Sequence, residues 1–126
     1  DLSKSRIIEF YNRSAVPLGA CGAYHVAIEV YEQEFNFGFT ASGTGVCAVA
    51  PHSHPAHRFL KSVPLGLTKL CKEEVMQAVV ELSKEWTGVS YHCVRRNCCD
   101  FAREFAAKLG VGPLPVWVDH LARTAE

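Results

Sequence analysis

Apolar and polar residues alternate most cleanly between Gly22 and Tyr31. Tyr24, Val26, Ile28 and Val30 fall on one side, and His25, Ala27, Glu29 and Tyr31 on the other. A period of two predicts a β-strand. A tight turn near Glu32 and Gln33 would send the chain back through Phe35, Phe37 and Phe39 as a hairpin. The strongest helical period runs from Thr68 to Trp86, where Val75, Val79, Leu82 and Trp86 recur on one face while Glu73, Glu74 and Lys84 face water. Gly88 ends it. A second helix is expected from Cys98 to Leu109, with Asn97 at its cap and Gly110 closing it.

The remaining segments are weaker. Ile7, Ile8, Phe10 and Tyr11 make an apolar stripe at helical spacing, so Ser3 to Ser14 reads as a short helix capped by Ser3. Pro17 and Gly19 then break the chain. Ala41 to Gly45 reads as a loop, Val46 to Ala50 as a short strand, and Pro51 to His57 as irregular. Arg58 to Leu67 is extended but interrupted by Pro64 and Gly66, and Tyr91 to Val94 reads as a short strand. Pro113 and Pro115 introduce a last helical turn from Trp117 to Leu121. Hairpins followed by helices indicate an α+β domain with a small antiparallel sheet, not a βαβ alternation.

At 126 residues the chain has the length of one domain. Thirteen Lys and Arg balance thirteen Asp and Glu, so the charge footprint of a general nucleic-acid binder is missing and no nucleic-acid partner is expected. No apolar run approaches the ~20 residues of a membrane span. No secretory signal or transit peptide opens the sequence, and its first residue, Asp1 rather than Met, reads as that of a fragment or a processed chain. Six cysteines are present: Cys21, Cys47, Cys71, Cys93, Cys98 and Cys99. A domain of this size folds without disulfides, so they read as reduced thiols of an intracellular protein. No C-x-x-C pair exists, and His92, Cys93, Cys98 and Cys99 are too crowded for a zinc set. Neither a metal nor a cofactor is expected.

A cysteine nucleophile needs a setting that favours its thiolate, and a base. Cys98 follows the cap residue Asn97, at the start of a helix, where unpaired amides and the dipole favour an anion. Arg95 and Arg96 could add to this if they point inward. Cys99 shares the location. Helical phase sets Cys98 on the stripe of Phe101, Ala102, Phe105 and Leu109, facing the domain, and Cys99 at its edge, toward Arg103 and Ala106. The competing reading of Cys98 is a plain buried core cysteine. Six histidines could supply the base. His52, His54 and His57 form an H-x-H-x-x-H group that reads as a solvated loop, and His92 and His120 have no distinguishing context. His25 sits mid-strand between Ala23 and Ala27, small neighbours that leave room for another group to approach its ring. A buried strand histidine with a structural hydrogen bond is its competing reading.

Gly22-Ala23-Tyr24-His25-Val26-Ala27-Ile28-Glu29-Val30 followed by Glu34-Phe35-Asn36-Phe37-Gly38 resembles the histidine-bearing hairpin of the PPPDE family, the permuted-papain-fold peptidases also known as DeSI-type isopeptidases. Leu65-Gly66-Leu67-Thr68, the long helix, Tyr91, Asn97-Cys98-Cys99-Asp100-Phe101, and then Pro115 and Trp117 continue the resemblance in order. It implies a circularly permuted papain-like fold, with His25 matching the family's catalytic histidine and Cys98 its nucleophile. The sequence departs from the pattern at Cys99, where a polar residue is usual, and at the His52–His57 loop. Asp1-Leu2-Ser3 resembles the end of the strand that starts such domains. On that reading, the first strand precedes this sequence and leaves an unpaired edge beside the His25 hairpin, open to a weak homodimer.

The activity implied is acyl transfer through a thioester. Cys98 attacks a carbonyl, His25 protonates the leaving amine, and the first amides of the Cys98 helix are available to the oxyanion. The implied partners are ubiquitin or SUMO conjugates on lysine, and the implied location is the cytoplasm, with the nucleus as a second site. Three alternatives stay open at this point: an S-acyl thioesterase using the same dyad, a relative of the lecithin:retinol acyltransferase-like group, and an inactive ubiquitin- or SUMO-binding module.

Overall fold

The computed structural model describes residues 5–13, 24–53, 57–92 and 95–118, with the backbone alone at 5–13, 24 and 57–61. Its first element is a strand, β1 (Ser5–Arg13), where the apolar spacing predicts a helix. The doublets Ile7-Ile8 and Phe10-Tyr11 fit a helical stripe, but they are β-branched and aromatic residues that favour extended backbone. Tertiary pairing decides the matter. β1 lies antiparallel between β2 (Tyr24–Val30) and β5 (His57–Leu67), so both of its edges are hydrogen-bonded. With β3 (Gln33–Phe37) and β4 (Val46–Val49), the five strands run in the order β4-β3-β2-β1-β5.

This order corrects a second expectation. The edge of β2 beside the hairpin is filled by β1, with Tyr11 opposite His25. The open edge that would have invited a homodimer is therefore absent there. Among the described residues the outer strands are β4, which is four residues long, and β5, which carries Pro64. Both are features that discourage strand addition.

The hairpin turn falls one residue earlier than expected, on Tyr31 and Glu32, both with positive φ (50° and 62°). That is the conformation of a two-residue type I′ connection. Tyr31 is held in it by a hydrogen bond from its hydroxyl to the Leu70 carbonyl at 2.6 Å.

Helix α1 (Lys72–Glu85) starts four residues after Thr68. Thr68 is pinned instead to the far end of the second helix, its Oγ1 donating to the Leu109 carbonyl at 2.6 Å. Helix α2 (Cys98–Leu109) has the predicted limits, and Gly110 closes it in the left-handed conformation (φ 78°). The expected strand at Tyr91 to Val94 reduces, among the described residues, to one bridge between His92 and Arg96. Helical backbone resumes at Val116 and runs to Val118, the last described residue; the rest of the expected Trp117–Leu121 turn lies outside the described residues.

α2 packs across β2 and β3, and α1 packs against α2. Their shared core contains Val26, Ile28, Phe35, Phe37, Leu82, Trp86, Phe101 and Phe105. Aromatic edges lock it: Phe35 meets Phe105 at 5.5 Å between ring centroids, and Phe37 meets Trp86 at 4.9 Å. The architecture is α+β, a small antiparallel sheet with its helices on the core face. This core holds α2 against the strand that carries His25.

Candidate active site

His25 is the second residue of β2 and is buried. Cys98 is the first residue of α2, the helix that packs on that strand, and is also buried. The two candidates thus stand on contacting elements, strand before helix in chain order. Cys47, Cys71, Cys98 and Cys99 are all thiols.

The helix start around Cys98 is tightly specified. Asn97 is extended (φ −116°, ψ −170°), and its Oδ1 accepts hydrogen bonds from the amides of Cys99 at 2.9 Å and Asp100 at 3.2 Å. In return, the Asn97 amide donates to Asp100 Oδ2 at 2.9 Å, closing a capping box. Asp100 also accepts from Arg103 at 3.2 Å, so the carboxylate two residues after the candidate nucleophile is matched by a cation. A thiol at such a position gains from the partial positive charge of the helix start. The cap has a cost for catalysis, however. The Cys99 and Asp100 amides are already committed to Asn97, so they do not form the oxyanion site that the helix start suggests from sequence.

Two other expectations need correction. Cys99 is not at an edge: it is as fully buried as Cys98, because α2 buries Ala106 as well as the Phe101–Phe105 stripe. Its Sγ accepts from Arg103 Nη2 at 3.5 Å. Nor does either arginine before the helix turn toward the thiol. Arg95 is exposed, and Arg96 lies over the Trp86 ring with Cζ 3.7 Å from its centroid.

The remaining histidines separate by role. His92 locks a tight loop, its Nδ1 accepting from the Arg95 amide at 3.1 Å. His52 is exposed in a turn at positive φ (64°), with Nε2 3.9 Å from Glu29 Oε1. His54 and His120 lie outside the described residues, and only the backbone of His57 is described. Among the described residues, no three His, Cys, Asp or Glu side chains converge on a metal position.

Sequence reasoning missed Glu34 and Asn36. Alternation along β3 puts them opposite Phe35 and Phe37, on what would be a solvated face, yet both are buried. Glu34 Oε1 accepts from the His52 amide at 3.0 Å. The only advance signal was their place in the Glu34–Gly38 motif.

A family model described as "PPPDE putative peptidase domain" matches residues 1–126. A DeSI-like protein of Arabidopsis thaliana is 33% identical over 103 residues, covering 81% of this chain and 46% of its own length. The DeSI-like protein sdu1 of Schizosaccharomyces pombe is 32% identical over 115 residues, covering 89% of this chain and 57% of its own. The chain therefore spans about half the length of the curated relatives it matches. Among the described residues, no helix is long and apolar enough to cross a membrane.

Proposed function

Since the chain belongs to the PPPDE peptidase family, we propose that it is a cysteine isopeptidase that removes ubiquitin or SUMO from lysine side chains, with Cys98 as nucleophile and His25 as its acid–base partner in a permuted papain-like fold. The observation that supports this reading is a buried thiol at the capped start of α2, a helix that packs against the strand carrying a buried histidine. The order, histidine strand first and cysteine helix second, is the reverse of ordinary papain-like chains, as permutation requires. The names of the two relatives support the isopeptidase reading.

In this mechanism His25 holds the proton of the Cys98 thiol, leaving an imidazolium–thiolate pair. The thiolate attacks the carbonyl carbon of the isopeptide bond, and the C=O electron pair moves onto oxygen. With two helix amides bound by Asn97, that oxyanion relies on donors other than those two. Collapse of the tetrahedral intermediate breaks the C–N bond, His25 protonates the leaving lysine amine, and a thioester remains on Cys98. Water, giving a proton to His25, attacks the thioester; the acyl group leaves as a carboxylic acid and Cys98 is regenerated.

The test presents ubiquitin–lysine and SUMO–lysine isopeptides and an S-acyl thioester in parallel. Release of free lysine amine from one of the two conjugates, lost in both Cys98→Ser and His25→Ala, is the expected result. Turnover of the S-acyl compound alone would replace the isopeptidase reading with a thioesterase one.

A further inference from the structure

Resting on Cys98 as the nucleophile, we propose that Arg96 is a positioning residue that anchors the chain entering α2 to the end of α1 and so fixes where Cys98 stands. Arg96 is two residues before Cys98 and immediately before the cap Asn97. Among the described residues, its guanidinium meets Trp86, Glu85 and Ser90. The guanidinium lies over the Trp86 ring, with Cζ 3.7 Å from its centroid. Nη2 donates to the Glu85 carbonyl at 2.8 Å, and Nε donates to Ser90 Oγ at 3.2 Å. Glu85 is the last residue of α1 and Trp86 its C-terminal cap, so a cation sits where the helix leaves carbonyls unpaired and its dipole is negative.

The backbone of Arg96 is fixed as firmly. Its amide donates to the His92 carbonyl at 3.0 Å, and its carbonyl accepts from the His92 amide at 2.9 Å. Ser90 in turn donates to the Thr87 carbonyl at 2.7 Å. Trp86 is itself held by Phe37 at 4.9 Å and by Phe101 of α2 at 5.5 Å. Arg96 therefore joins the end of one helix to the start of the other around a single aromatic cluster. Lysine could keep the charge, but it has neither the planar face nor the fork that reaches Glu85 and Ser90 together. The guanidinium is directed to Trp86, Glu85 and Ser90, so Arg96 acts on Cys98 through the path of the chain.

The test compares Arg96→Ala and Arg96→Lys with the wild-type chain. It reads kcat and KM on whichever ubiquitin or SUMO C-terminal fluorogenic amide the wild type cleaves, and the pH dependence of Cys98 alkylation by iodoacetamide. A small misplacement of an attacking atom is costly, so kcat should fall roughly 10- to 100-fold in Arg96→Ala. KM should stay within about twofold, and the alkylation midpoint should not move. Arg96→Lys should recover thermal stability more fully than kcat. If Arg96→Ala does not fold, the kcat-against-stability split in Arg96→Lys carries the test. An unchanged kcat in the folded variants would overturn the proposal, and so would an alkylation midpoint that rises in Ala but not in Lys. Full activity in Cys98→Ser is a different failure: it would remove the nucleophile assignment itself.

Discussion

Replacing Asn97 with alanine removes one side chain but strands two amides. Asn97 Oδ1 accepts from Cys99 N at 2.9 Å and from Asp100 N at 3.2 Å, and Asn97 is fully buried, so water does not replace it cheaply. Loss of an N-cap acceptor costs about 1 kcal/mol. Leaving a buried donor without a partner adds about 1–3 kcal/mol. The reciprocal bond, from the Asn97 amide to Asp100, uses backbone and survives the substitution. The expected loss is therefore about 2–4 kcal/mol, a large share of the ~5–15 kcal/mol typical of a domain but not all of it. Urea unfolding should show a lower midpoint with an unchanged slope. Asn97→Asp is the informative partner, because it keeps an acceptor oxygen where the helix dipole favours an anion. It should lose less than half the stability that alanine loses. Its added negative charge disfavours a second anion next to it, so alkylation of Cys98 should need higher pH than in the wild type. An alanine variant within about 0.5 kcal/mol of wild type would refute the capping argument, since that is below the range of an N-cap loss. An aspartate variant as unstable as the alanine one would also refute it.

Two further substitutions test the scaffold around this helix. Phe101→Ala should cost about 3–5 kcal/mol in the same unfolding assay, because Phe101 is fully buried and meets Trp86 at 5.5 Å and Phe105 at 5.8 Å. A loss under about 1 kcal/mol would mean the aromatic cluster is not close-packed. Gly88→Ala should destabilise by about 1–3 kcal/mol or more, since a Cβ there would meet the side chain and the backbone amide of Thr40. An unchanged melting temperature would show that the 38–45 loop does not lie against Gly88.

What could be read from the sequence was what local chemistry decides. The limits of α2 were visible because Asn97 and Gly110 are cap residues at its two ends. The Tyr24–Val30 strand was visible because its alternation is clean. β1 was not, because Ile7-Ile8 and Phe10-Tyr11 satisfy a helical stripe as well as a strand. Only its pairing with both β2 and β5, which no local window contains, selects the extended form. At the site, the position of Cys98 at a helix start followed from the cap, whereas the burial of Cys99 did not. Helical phase locates an edge only if one knows how much of the helix is covered, and Ala106 is covered too. The direction of Arg96 was equally hidden, since Trp86 and Glu85 are ten and eleven residues away along the chain. Glu34 and Asn36 were masked by an alternation that assumes one face of β3 is wet.

The claim on which the rest depends is that Cys98, and not its neighbour Cys99, is the nucleophile. The most direct measurement treats the wild-type chain with ubiquitin and with SUMO carrying a C-terminal electrophile, then maps the modified residue by peptide mass spectrometry. The account predicts a single adduct on Cys98, absent in Cys98→Ser, retained in Cys99→Ser and strongly slowed in His25→Ala. An adduct on Cys99, or labelling of Cys98 that proceeds unchanged without His25, would contradict it.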